Sequence, residues 1–304
     1  MLQVVNYHYI RNNFDAKYPS IFGVTPIQFK KQLKLLLNQG DIVSPTVFSI
    51  HFNEMITSKE NYYLLTFDDG LKEQFDLAYT ILRDEDLQAI FFLNSINFET
   101  KKMSTVHKIH LLRSVLSPIQ FLNYLKEMNV KNLLAEEIEK AHKNYRFDDA
   151  SSAELKYLLN FKIAFDKQEL LINTIFKQFF DENEIVEKLY MTESQIQTLS
   201  DLNCLGSHSH SHFPLGRLSE DTIKFELEHS KKYFEKITNN PISMIAYPYG
   251  TDESCSDLVA ELAKKAKYSF GFTTKKGTIT MSQNKLLLNR FDCNDVIGGK
   301  NFKQ

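Results

Sequence analysis

Tyr62-Tyr63-Leu64-Leu65-Thr66-Phe67-Asp68-Asp69-Gly70 is the stretch on which the fold turns. Residues 62–67 read as a buried strand, and Asp68-Asp69-Gly70 ends it in a tight turn. A helix over about 71–83 and a strand over 88–93 follow, so strand, helix and strand make one parallel crossover unit. Working outward, residues 2–9 predict a first strand. Thr25 as N-cap, Pro26 at the first helical position and Gly40 past the last turn bracket a helix through 28–39, with Phe29, Leu33, Leu36 and Leu37 on its inner face.

Strands recur over 202–207, 242–247, 268–274 and 286–292. Short apolar strands alternating with amphipathic helices favour parallel βαβ units over a sandwich or a bundle. Between 97 and 190 the strands disappear, and helical stretches at 119–128, 136–144 and 154–180 read as a helical insertion. Residues 1–96 and 191–304, roughly 210 in all, then form a single α/β barrel-like domain.

Composition narrows the class. The chain has 304 residues, 43% hydrophobic and 24% charged, enough for a substantial core. A formal net charge of -2 gives no case for nucleic acid. Lys30-Lys31 and Lys275-Lys276 are too short for a phosphate-binding track and read as solvated surface. Cys204, Cys255 and Cys293 are odd in number and form no CxxC, so reduced structural thiols are expected. The start Met1-Leu2-Gln3-Val4-Val5 is not a signal peptide and no run reaches transmembrane length, which predicts a cytoplasmic location.

The chemistry falls at strand ends. Asp68-Asp69 follows one strand, Ser207-His208-Ser209-His210-Ser211-His212 another, and Tyr247-Pro248-Tyr249-Gly250 a third. In α/β barrels the loops at the carboxyl ends of the strands meet on one face. Paired carboxylates and imidazoles four residues apart could there hold one divalent metal with a carboxylate beside it, a hydrolase site in outline. His208 and His212 share a face on a helix or a strand, while His210 joins them only in an extended segment. Each motif alone has a plainer reading: a turn, an exposed polar loop, a turn with aromatic packing. His8, ending the first strand, fits a pocket wall or a satisfied core histidine. His51, His107, His110, His142 and His229 show no partner pattern and read as surface or packing residues.

In their order along the chain these motifs resemble the polysaccharide deacetylases of carbohydrate esterase family 4, with the nodulation-type chitooligosaccharide deacetylase homology domain. The resemblance runs from Tyr7-His8 to about Asp295 and omits the helical insertion. It implies a distorted (β/α) barrel of the polysaccharide deacetylase type. It implies a divalent metal, zinc first, held by Asp69, His208 and His212. Asp68 becomes the general base and the backbone N–H of Tyr249 part of an oxyanion hole. Beside these, Tyr247, Pro248, Gly250, His210 and His8 are candidate substrate-binding residues. Removal of an N-acetyl group from an amino sugar of a glycan or glycan precursor is the activity implied.

Two positions depart from the family pattern. The arginine usual two residues before the third motif's proline is here Ala246, and the usual C-terminal acid histidine is missing, since no histidine follows His229. Arg290, in Leu287-Leu288-Asn289-Arg290-Phe291-Asp292, is expected to restore the positive charge beside Asp68. The leaving-amine proton is left to His8, His210 or a water. Hydrolysis of a non-sugar linear amide, or carbohydrate binding without catalysis, are the competing functions. For the insertion the sequence offers a lid, a dimer contact or a docking surface.

Overall fold

A computed structural model of the chain describes residues 1–303. Its strands are β1 (Leu2–Tyr7), β2 (Tyr9–Ile10), β3 (Gly23–Val24), β4 (Asp41–Ile42), β5 (Tyr62–Asp68), β6 (Ile90–Leu93), β7 (Leu205–Ser207), β8 (Met244–Ala246), β9 (Phe270–Phe272) and β10 (Phe291–Asp292). The main sheet is parallel throughout, in the order β10-β1-β5-β6-β7-β8-β9, with β4 added beside the start of β5. It curls because its far edges meet: Leu288 bridges Phe272 of β9, and Val5 of β1 pairs with Phe291 three residues later. The 286–292 stretch expected as one strand is therefore a seam between the first and last strands, and only Phe291–Asp292 is regular strand.

Alternation along each strand explains what lies inside the curl. Val4, Leu64, Phe92, Ala246, Phe272 and Leu288 belong to one buried cluster. The Pro45–Thr57 helix adds Phe48, Phe52 and Met55 to it, covering the amino-terminal ends of the strands. Burying each such aromatic side chain contributes roughly 1.5–3 kcal/mol. Gly206 is small because a Cβ there would sit 2.4 Å from the Phe92 ring. On the opposite face Tyr7, Phe67 and Phe91 stack at 5.2 and 4.9 Å, and Phe29 of the Pro26–Leu37 helix packs edge-on against Tyr7.

One step further along the inward columns, toward the carboxyl ends, the residues turn polar: Asn6 in β1, Thr66 and Asp68 in β5, Asn94 after β6, His208 after β7 and Arg290 at the seam. An apolar plug thus supports a polar floor.

Several elements differ from expectation. The first strand breaks at His8, and β2 turns away to pair with β3. The helix expected over 71–83 is for most of its length a wide π-helix, Gln74–Tyr79, followed by α-helix at Thr80–Asp84. Gln74 is occupied elsewhere: its Oε1 accepts from the Leu71 N–H and its Nε2 donates to the carbonyls of His8 and Asp68. The long helix expected over 154–180 is broken into Ala150–Tyr157, a π-turn Leu158–Lys162 and Phe165–Phe176, with Ile163 extended between them. A Thr105–Val115 helix precedes them that the sequence reading did not anticipate.

The chain divides into two compact units. One comprises Met1–Asn13, Gly23–Lys102 and Val186–Gln304 and holds the curled sheet. The other comprises Phe14–Phe22 and Met103–Ile185 and is helical. These limits differ from 97 and 190 by a few residues and assign the 14–22 segment to the helical unit. Cys204, Cys255 and Cys293 are buried free thiols. No helix among the described residues is long and apolar enough to cross a membrane.

Candidate active site

Asp68 and Asp69 leave the end of β5 in different directions. Asp69 has φ +87° and Gly70 φ +65°, so the backbone turns sharply after Asp68. A non-glycine residue in that region costs about 1–3 kcal/mol and persists only where its surroundings hold it. Here the Gln74 amide grips the Asp68 carbonyl, and the Gly70 carbonyl accepts from the Met191 N–H at 3.1 Å.

The Asp69 carboxylate faces two imidazoles: its Oδ1 lies 3.6 Å from His208 Nε2 and 3.3 Å from His212 Nε2. One donor atom from each of the three residues lies within 4.8 Å of the other two. His208 Nδ1 is 2.7 Å from the Ala246 carbonyl, which can only accept, so Nδ1 carries the proton and Nε2 presents its lone pair. Burial, foremost, pushes the His208 pKa down to about 4, and the ring is neutral near pH 7. One anionic oxygen with imidazole nitrogens is the donor set of a zinc-type ion. Ligands bound tetrahedrally at roughly 2.0–2.1 Å stand roughly 3.3–3.4 Å apart, so the residues fit such an ion. The carbonyl behind His208 fixes ring orientation, as such partners do in metal sites.

The histidine segment is neither helix nor extended strand. Ser209 and His212 are left-handed, at φ +64° and +60°, and these reversals send His208 and His212 to Asp69 while His210 turns away. The loop is clamped by groups the sequence reading missed. Asn94 donates its amide to the His208 carbonyl, the Ser95 and Ile96 N–H groups donate to the Ser209 and His210 carbonyls, and Glu226 accepts from the His210 and Ser211 N–H groups at 2.9 and 2.8 Å. Glu226 did leave a signal. In the Glu220–Thr238 helix it stands on the buried stripe of Ile223, Leu227, Ser230 and Phe234, where a charge requires a partner.

Asp68 is held by Arg290. Nη1 and Nη2 donate to Oδ1 and Oδ2 at 2.8 and 2.7 Å, a bidentate fork with both residues almost wholly buried. Arg290 Nε donates to the Thr273 carbonyl, and Nη1 also reaches Asn6 Oδ1 and Thr66 Oγ1. Burial is the largest influence on Asp68 and would raise its pKa. The Arg290 charge, His208, the Arg290 hydrogen bonds and His8 outweigh it and leave the carboxyl below its ordinary value. The guanidinium reaches from the barrel seam the neighbourhood that Ala246 leaves without a charge.

His8, placed by the break between β1 and β2, has Nε2 3.9 Å from Asp68 Oδ2 and a side chain 39% exposed. His210 instead points at Ser95 and Glu99. Tyr247, expected to line the substrate, is fully buried with its hydroxyl donating to the Leu286 carbonyl, because it follows the outward column of β8. Tyr249 and Gly250 are left-handed at φ +63° and +60° after the buried Pro248. The Tyr249 ring meets the His212 ring edge-on at 5.4 Å, and its carbonyl accepts from Thr274 Oγ1. A Cβ on Gly250 would fall 2.4 Å from the Thr274 nitrogen, which is why glycine stands there.

A curled parallel sheet with its polar residues at the carboxyl ends is a (β/α) barrel. The family model described as Polysaccharide deacetylase matches residues 178–271, which include His208, His212 and Tyr249. A protein of Bacillus subtilis (strain 168), "Putative polysaccharide deacetylase YxkH", is 26% identical over 125 residues, covering 41% of this chain and 44% of the relative's length. The fold is similar to that of the Streptococcus pyogenes deacetylase PplD (18% identity, TM-score 0.57, 96% of this chain and 91% of that one). It is likewise similar to that of a de-N-acetylase from Aggregatibacter actinomycetemcomitans (14% identity, TM-score 0.57, 96% and 95%). The resemblance read from the motifs is thereby borne out, in sequence over part of the chain and in fold over nearly all of it.

Proposed function

We propose that this chain is a metal-dependent deacetylase that removes an N-acetyl group from an amino sugar of a glycan or glycan precursor. One observation carries the reading: two adjacent carboxylates have separate partners, Asp68 the Arg290 fork and Asp69 the two imidazoles. A base that must stay ionised and a ligand that must face a cation need different surroundings, and one sharp turn gives them.

When bound by Asp69, His208 and His212, a divalent ion, zinc by the donor chemistry, supplies Lewis acidity toward water and the amide carbonyl. Asp68 takes the proton from the attacking water. Arg290 keeps it ionised and oriented, at the cost of lower basicity. The backbone N–H of Tyr249, on a loop stiffened by Pro248 and turned by Gly250, donates to the tetrahedral oxyanion, a role worth roughly 3–4 kcal/mol per donor. His8 delivers the proton to the leaving amine, since it shares the Asp68 pocket and is partly open to solvent. His210 serves the fold on the far side of the loop. With an acid available at His8, the missing C-terminal histidine no longer argues for a binding protein without catalysis.

The test is acetate release from a panel of N-acetylated sugars and linear amides, with metal stripped and restored, beside Asp68→Asn. Release from sugars that needs both the metal and Asp68 supports the reading. Release only from non-sugar amides, or sugar binding without release at any metal loading, overturns it.

A further inference from the structure

The left-handed turns that send His208 and His212 to Asp69 leave a second convergence of ligand-type side chains. Glu99, in the short Ile96–Glu99 helix after β6, has Oε2 2.6 Å from His229 Nε2 and 3.9 Å from His210 Nδ1. The three donor atoms lie within 4.8 Å of one another, again one carboxylate oxygen and two imidazole nitrogens. They come from three separate elements: the loop after β6, the histidine loop after β7 and the Glu220–Thr238 helix.

The geometry points to a second cation site here, independent of the deacetylase reading, for a divalent transition ion that prefers nitrogen and oxygen donors, such as zinc or cobalt, over magnesium or calcium. Entry is open, because the Glu99 and His229 side chains are each 34% exposed. The donors are also held in place. Phe225, one helical turn before His229, stacks on its ring at 4.8 Å, and Glu226 fixes the backbone N–H of His210. Ser95 Oγ, 2.7 Å from His210 Nδ1, is the neighbour that an ion would displace from that nitrogen or recruit as a further ligand. An ion bound there ties the loop after β6 and the long helix to the loop that carries His208 and His212, and so braces the first site from behind.

Cobalt(II) titration of the full, tag-free, metal-stripped chain, followed by visible absorption and by metal content after gel filtration, tests this. The wild type is expected to take up two equivalents, His229→Ala and Glu99→Ala one each, His212→Ala one, and the His212→Ala, His229→Ala double variant none. A single equivalent that survives His229→Ala and Glu99→Ala but is lost in His212→Ala overturns the second site and leaves the deacetylase reading intact. A single equivalent lost in His229→Ala and kept in His212→Ala does the reverse. Circular dichroism checks folding, and His229→Gln, expected to behave as His229→Ala, takes its place if the alanine variant is unfolded.

Discussion

Asp68 and Asp69 differ in what their neighbours do to a proton. Arg290 is the reason Asp68 sits below its ordinary pKa despite burial. In Arg290→Ala the burial remains and the charge is gone, so the pKa rises and the acid limb of kcat/KM moves to higher pH. Turnover near pH 7 should fall on the order of 10²-fold with metal content unchanged. An unmoved limb, or activity and metal lost in step, would count against this role. His8 gives a second expectation. His8→Ala should lower kcat for N-acetyl sugars on the order of 10²-fold and far less for 4-nitrophenyl acetate, whose nitrophenolate leaves as the anion, because only the amine needs a proton. Equal losses on both substrates would remove His8 from the proton path.

At the scale of elements, the loop from Ser207 to His212 depends on groups outside it. Glu226→Ala removes the acceptor for two backbone N–H groups and frees the turn that aims His208 and His212. We expect metal affinity to fall about 10–100-fold by chelator competition, with Glu226→Gln recovering part of it because its amide oxygen still accepts. Wild-type affinity in the alanine variant would sink the idea. This element also marks how far the sequence could be read. Asp68, Asp69, His208 and His212 could be picked out because their chemistry is concentrated in short motifs at strand ends. Glu226 was visible only as a charge on an apolar stripe, and Asn94 and Gln74 not at all, since a side chain that grips a distant backbone carbonyl leaves no local period. His208 and His212 both face Asp69 through two left-handed residues, not through the shared helix or strand face that was expected. The π-turns escaped because hydrophobic spacing does not distinguish them from ordinary helix.

For the whole molecule, curling a parallel sheet brings β1 and residues 286–292 together although the length of the chain separates them. Arg290 could be assigned to Asp68 only through the resemblance, as a replacement for the arginine absent at Ala246, whereas the seam that delivers it is a property of closure and not of any segment. The cost of gathering like donors falls on the same closure: buried, neutral His208 turns a lone pair toward the Asp69 carboxylate. An ion bound only by the folded state should therefore stabilise the barrel by mass action, by about 4 kcal/mol at free zinc a thousandfold above its dissociation constant. The chain has no tryptophan, so denaturant unfolding is best followed by near-ultraviolet circular dichroism of buried tyrosines such as Tyr7, Tyr247 and Tyr268. Zinc should raise the midpoint of a Glu99→Ala, His229→Ala chain, which isolates the first site, and adding Asp69→Asn should abolish the rise. A gain that persists without the Asp69 carboxylate would place the ion elsewhere and undo the proposed division of labour between the two aspartates.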